Sequence, residues 1–331
     1  NRYYGIKKGI LKATSGLNTF TWADRNAPLP IGDDAEKKIS WDEAVDMVEK
    51  GFAQFSPTMA KQFRQMVDEK RIDVPTHDGK SGGAFCAGAT VDTGPFQLLN
   101  FTGSKGDVMT LAHESGHGCH DIQAYPQGQL QYHPPLTLAE CASIFGEMVV
   151  FRDLLAKASS DEERLAMLMQ KIDGIVNAVV RQCSFDRFEE LFHTARADGE
   201  VSVAEMRSLW LQATEEYYGK EGELFDSFHD MDNLIAYVGH FHKVPFYVYA
   251  YAFADLVVGA LYGAYQDNPN GFEQKLMDLL AAGGTTGFKE ALAPFGLDPS
   301  DPSFWSDALN AHLGSLIDEA EALSKKLGYT T

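Results

Sequence analysis

Cysteine is scarce in this chain of 331 residues. The four present, Cys86, Cys119, Cys141 and Cys183, form no Cys-x-x-Cys pair. That argues against a disulfide framework and for reduced thiols. Basic residues are also few: 28 Lys and Arg against 47 Asp and Glu leave a formal net charge of −19. So acidic a surface repels phosphate, so neither nucleic acid nor an anionic membrane is an expected partner. No apolar run approaches the roughly 20 residues that span a bilayer. The most apolar segment, 245–262, contains Asp255 and several tyrosines and reads as a buried helix. Repeats, low-complexity tracts and long linkers are missing. No signal-peptide pattern is visible, and the expected location is cytoplasmic. The chain opens on Asn1 rather than Met, within what reads as a helix (YYGIKKGILKA), so a segment removed upstream is also expected.

What is present is an ordinary globular balance, 44% apolar and 23% charged, in a chain long enough to bury a sizeable core. The reading is mainly α, with one domain over residues 1–331. Ser40-x-x-Glu43, Ser56-Pro57, Ser160-x-x-Glu163 and Ser202-x-x-Glu205 are helix starts, because a Ser side chain caps free N–H groups and Pro fits the first helical position. The exception is residues 73–101. Pro75, Gly79, a Ser81-Gly82-Gly83 run and Gly94-Pro95 separate the short apolar runs AFC and FQLLNF. This predicts a small β-sheet or hairpin inserted in a helical protein. The glycine-rich stretch 80–88 lacks G-x-x-x-x-G-K-[ST], and its lysine precedes the glycines, so it is not a phosphate loop. It reads as a flexible loop beside an edge strand, where an extended peptide could pair with 84–86.

The stretch GDVMTLAHESGHGCH contains H-E-x-x-H at 113–117. On a helix, expected over about 105–124, residues four apart share a face. His113 and His117 could therefore hold one metal ion, with Glu114 reaching water beside it. Val108, Leu111, Ala112, Ser115, Cys119 and Ile122 form a largely apolar stripe, and the histidines, including His120, fall on another face. Catalytic zinc wants a third protein ligand. The metzincin pattern needs Gly at 120 and His at 123, where this chain has His120 and Gln123. The helix expected over about 137–157 offers Glu140 and Glu147 instead. Spacing leaves both open: one could ligate while the other supports a histidine N–H. Thr137-x-x-Glu140 also reads as a capping box.

HESGH followed by LAECASIFGE resembles a family of zinc oligopeptidases that includes thimet oligopeptidase and oligoendopeptidase F. The run GHFHKVPFYVYAYAFADL at 239–256, KSGGAFCAG at 80–88 and FQLLNFTGS are similar to the same family. The resemblance extends over roughly 3–265. It implies one zinc ion held by His113, His117 and Glu140, with Glu114 as general base. It implies that His120 is not a ligand, and that His240 and the tyrosines over 247–251 lie near the metal. Within that set, His240, Tyr247 and Tyr251 are expected as hydrogen-bond donors to the reacting carbonyl, while His240 and Tyr249, together with Gly82, Gly83, Ala84 and Phe85 of the glycine-rich loop and edge strand, are expected to bind substrate. The implied substrates are short peptides cut internally in a deep channel of a mostly helical shell. Complete family members carry a long helical N-terminal region with no counterpart here. The chain is thus expected to be a fragment, and the competing expectation is a zinc- and peptide-binding piece that hydrolyses nothing without its missing half.

Overall fold

The computed structural model describes residues 1–32, 38–135, 137–229 and 231–329. In chain order, α1 (Arg2–Ser15), α2 (Trp41–Phe55) and α3 (Pro57–Asp68) precede strands β1 (Ile72–Pro75), β2 (Phe85–Ala87) and β3 (Phe96–Phe101). Then come α4 (Lys105–Ala124), α5 (Cys141–Lys157), α6 (Asp161–Val176), α7 (Gln182–Ala197) and α8 (Val203–Tyr218). The remainder is α9 (Gly239–Lys243), α10 (Tyr249–Asp267), α11 (Phe272–Ala281), α12 (Phe288–Leu292), α13 (Pro302–Leu309) and α14 (Ser315–Lys326). The chain is mainly α with one small sheet, as its sequence predicts. No described helix is long and apolar enough to cross a membrane.

Two compact units are present, each assembled from separated stretches. The first comprises Asn1–Asp33, Ala158–Asp255 and Leu313–Thr331; the second comprises Asp34–Lys157 and Leu256–His312. In the first unit, Tyr4, Phe20, Trp22, Tyr218 and Phe225 build an aromatic core, with Phe20 stacked on Phe225 at 5.1 Å. In the second, Ser40 and Ser56 cap α2 and α3 by accepting from the N–H groups of Glu43 and Met59. Phe52, Phe63, Met59, Met66, Phe145 and Met148 are fully or almost fully buried there, each worth about 1.5–3 kcal/mol of transfer free energy.

The predicted strand region is a three-stranded sheet of order β1-β3-β2. β1 runs parallel to β3, and β2 antiparallel to it. Side chains of Asn100 and Lys80 hydrogen-bond the chain around the glycine loop before β2. Asn100 Nδ2 donates to the carbonyls of Ser81 (2.9 Å) and Gly83 (2.8 Å). Lys80 Nζ, on a nearly buried side chain, donates to Pro75 O (2.7 Å) and pairs with Asp73.

α5 begins later than the expected 137. Residues 137–140 form a turn, because Leu138 N–H bonds Pro135 O and Cys141 N–H bonds Leu138 O, three residues back rather than four. Ile144 N–H bonds Glu140 O, four residues back. Thr137 therefore does not cap α5, and Glu140 sits at its N-terminal boundary with its carboxylate free for other work.

α4 and α5 approach backbone to backbone. A Cβ placed on Gly116 would lie 2.5 Å from both Ala142 O and Ser143 Cα. Neither atom can swing aside as a flexible side chain would. Gly116→Ala is expected to cost about 1–3 kcal/mol of unfolding free energy, measured by urea denaturation.

Candidate metal centre

Ser104 starts α4 with a capping box: its hydroxyl accepts from Asp107 N–H, and Asp107 in turn accepts from Ser104 N–H. Val108, Leu111, Ala112, Ser115 and Cys119 are fully buried, and Ile122 half-buried. With that stripe anchored, His113 and His117 project together on a neighbouring face, their rings 5.0 Å apart and nearly perpendicular. The turn before α5 brings Glu140 to meet them. Glu140 Oε2 lies 3.3 Å from His113 Nε2 and 3.3 Å from His117 Nε2. One ligand atom from each of the three residues falls within 4.8 Å of the others, the arrangement of a metal-binding group.

Glu147, seven residues on, lies 3.3 Å from the other nitrogen of His113. Spacing left Glu140 and Glu147 interchangeable; the structure gives them different places, one at the Nε2 pair and one behind His113. Burial by itself would lower the His113 pKa, but Glu140 and Glu147 outweigh it and raise it to about 10. Burial would likewise raise that of Glu140, yet the two imidazoles hold its carboxyl far below the ordinary range. The hydroxyl of Ser143, 2.6 Å away, also bonds its Oε2.

A cavity of about 640 Å³ opens on this group. Glu114 lines it, 7% exposed. Burial raises the Glu114 pKa, against the pull of His113, His117 and the Cys86 backbone N–H that donates to it. Ala84, Phe85 and Cys86 form part of the opposite wall. Gly83 shares a neighbouring depression with Ala84, Asn100 and Thr110, and Gly82 lines neither cavity. His120 is buried, and burial lowers its pKa to about 4; it lines the cavity but is not among the three grouped ligands. Asp121 and His133 line it too. Sequence reasoning missed both, although Asp121 continues the spacing of His113 and His117 by one more turn.

The later candidates belong to the first unit. Phe241 packs between Phe185 and Phe188 of α7, at 5.5 and 5.2 Å, and this seats α9. His240 Nε2 then lies 3.0 Å from the Tyr251 hydroxyl. The His240 ring stacks on Tyr247 at 6.1 Å, and Tyr247 meets Tyr251 edge-on at 5.5 Å. Tyr249 points elsewhere, 50% exposed. The helix expected over 245–262 begins only at Tyr249, because Phe246 takes a left-handed turn, φ 61°. Its N–H donates to Glu189 Oε1 of buried Glu189 at 2.8 Å. Nothing in the sequence flagged Glu189. Removing that acceptor in Glu189→Ala should cost about 1–3 kcal/mol of local stability, read as faster amide hydrogen exchange at Phe246; Glu189→Gln, which keeps an acceptor, should exchange close to wild type.

Comparisons with known proteins agree with the resemblance carried by the motifs. The description "Peptidase family M3" matches residues 41–311. Oligoendopeptidase F (chromosomal) of Lactococcus lactis subsp. cremoris is 29% identical over 340 aligned residues, which cover 98% of this chain and 52% of that protein. Oligopeptidase PepF of Bacillus subtilis (strain 168) is 28% identical, with 99% and 47% covered. A solved structure described as a peptidase from Chlamydophila abortus superposes with a TM-score of 0.82 at 26% identity, over 97% of this chain and 52% of that one. The chain spans about half the length of these relatives. Since the match runs through the HESGH helix, the Glu140 turn and α10, the chain belongs to peptidase family M3.

Proposed function

We propose that this chain carries the centre of a zinc-dependent endopeptidase that hydrolyses short peptides. The observation that carries the reading is the single carboxylate oxygen of Glu140 standing 3.3 Å from two imidazole nitrogens, with Glu114 on the same cavity. Two nitrogens and one oxygen suit zinc, and bonds of 2.0–2.1 Å to a tetrahedral ion set neighbouring ligand atoms about 3.3–3.4 Å apart. Cobalt or manganese would be accepted by the same donors. When bound, zinc supplies Lewis acidity and makes water a better proton donor.

The chain's own residues do the rest. His113, His117 and Glu140 hold the ion, and Glu147 fixes the ring of His113 from behind. Glu114, kept from full solvation, accepts the proton of the attacking water and passes it to the leaving amine. His240, Tyr247 and Tyr251, in mutual contact, are the proposed hydrogen-bond donors to the oxyanion. Gly82, Gly83, Ala84, Phe85 and Tyr249 are proposed to contact the peptide, with 84–86 offering backbone groups along β2. The four free cysteines accord with a reducing, cytoplasmic setting.

Glu114→Gln should lower turnover of a quenched-fluorescence peptide by about a hundredfold to ten-thousandfold while leaving one zinc per chain by metal analysis. Zinc retained with no turnover in the wild-type chain would instead favour a zinc- and peptide-binding piece, and no bound metal would sink the reading altogether. Glu147→Gln should weaken zinc binding by about ten- to a hundredfold, measured by competition with a chromogenic chelator.

A further inference from the structure

The cavity beside the candidate metal group is lined by three carboxylates, Glu114, Asp121 and Glu140, and they are not equivalent. Glu140 is taken up by His113 and His117. Glu114 accepts from the Cys86 backbone. Asp121 is left over. It stands one turn beyond His117 on the same face of α4, the i, i+4 relation that also links His113 to His117. Among the described residues it has no hydrogen-bond donor and no ion-pair partner; His133 and His117 act on it only across space.

Its surroundings keep it that way. Tyr125 and Tyr132 both feel the Asp121 charge, but their hydroxyls donate elsewhere. Tyr125 bonds Gly88 O at 2.7 Å, and Tyr132 bonds Ala89 O at 3.2 Å. These two bonds pin the chain just past β2 directly against the carboxylate: a Cβ on Gly88 would lie 2.8 Å from Asp121 Oδ2. A carboxylate half withdrawn from water with no donor is unfavourable, and burial pushes its pKa up to about 6. An arriving cation would relieve that state.

We propose that Asp121 is a specificity-determining residue that receives the cationic side chain of a lysine or arginine in the bound peptide, inside the cavity that His113, His117 and Glu140 share. This rests on the peptidase reading of that cavity. The volume of about 640 Å³ holds a long basic side chain together with a stretch of peptide backbone. The chain's acidity gives the same preference at longer range, since a field of this sign draws cationic peptides toward the surface.

The test walks one lysine through a short, neutral, fluorescein-labelled peptide, with norleucine at the same position as the uncharged control. Affinity is measured by anisotropy on the full zinc-loaded chain carrying Glu114→Gln, so that no peptide is consumed. At one or more positions the lysine peptide should bind about tenfold tighter or more than its norleucine twin. Asp121→Asn, added to that background, should erase the gap, and Asp121→Glu should restore part of it. Thermal unfolding checks that both variants fold, and the wild-type comparison needs no Asp121 variant. A gap below about twofold at every position, peptide binding too weak to detect, or a gap that survives Asp121→Asn would overturn the proposal. Hydrolysis by the unmodified chain is followed in parallel. Lysine and norleucine peptides cut equally well would overturn the role of Asp121 and leave the peptidase reading standing; discrimination without any hydrolysis would do the reverse.

Discussion

The closeness of two helix backbones governs everything at the candidate centre. α4 can deliver two imidazoles by itself, because residues four apart share a face. It cannot deliver the third ligand. The proposed third ligand, Glu140, comes from the turn in front of α5, where Gly116 lies against Ala142 and Ser143 with no side chain between them. The bonds from Leu138 N–H to Pro135 O and from Cys141 N–H to Leu138 O then accompany a Glu140 carboxylate turned to the histidines, with its carbonyl accepting from Ile144 N–H. Widening the gap by the thickness of one methyl group would move the carboxylate relative to the imidazoles by a comparable distance, more than ligand geometry tolerates.

Four acids near α4 illustrate how surroundings assign work to chemically similar groups. Glu140 sits between two imidazole nitrogens and stays ionised. Glu147 stands 3.3 Å from the other nitrogen of His113. Glu114 is buried against β2 with a backbone donor from Cys86, and its pKa is raised, which suits the proton transfer proposed for it. Asp121 has burial without a donor. The differences arise from what stands opposite each carboxylate, and the carboxylates themselves differ by at most one methylene group.

The first unit handles its candidate residues in another way. His240 belongs to a helix of five residues, too short to hold itself in place. Phe241 fastens it to α7, and Glu189 fastens the following turn through the N–H of Phe246. That residue takes up a left-handed conformation normally left to glycine, a local cost that the buried carboxylate helps to offset. The result is a packed trio of His240, Tyr247 and Tyr251, in which the His240 imidazole and the Tyr251 hydroxyl are hydrogen-bonded and the Tyr247 ring packs against both.

Much of this was legible in the sequence because it depends on neighbours along the chain. The caps at Ser40, Ser56, Ser160 and Ser202, the break into strands around the Gly and Pro residues, and the shared face of His113 and His117 all follow from local geometry. Ordered motifs also identified the family. The sequence did not separate Glu140 from Glu147, since seven residues return a helix to the same face and periodicity carries no depth. It did not place the start of α5, which a run of three-residue turns delays. It gave no sign of Glu189 or His133, and of Asp121 only a helical spacing shared with His113 and His117; the surroundings of all three are set by segments many residues away. Helical period and capping chemistry act over a few residues and are written in the chain; the distance between two helix axes, and the desolvation of each carboxylate, arise only when distant segments pack, and those two quantities decide which acid takes which place.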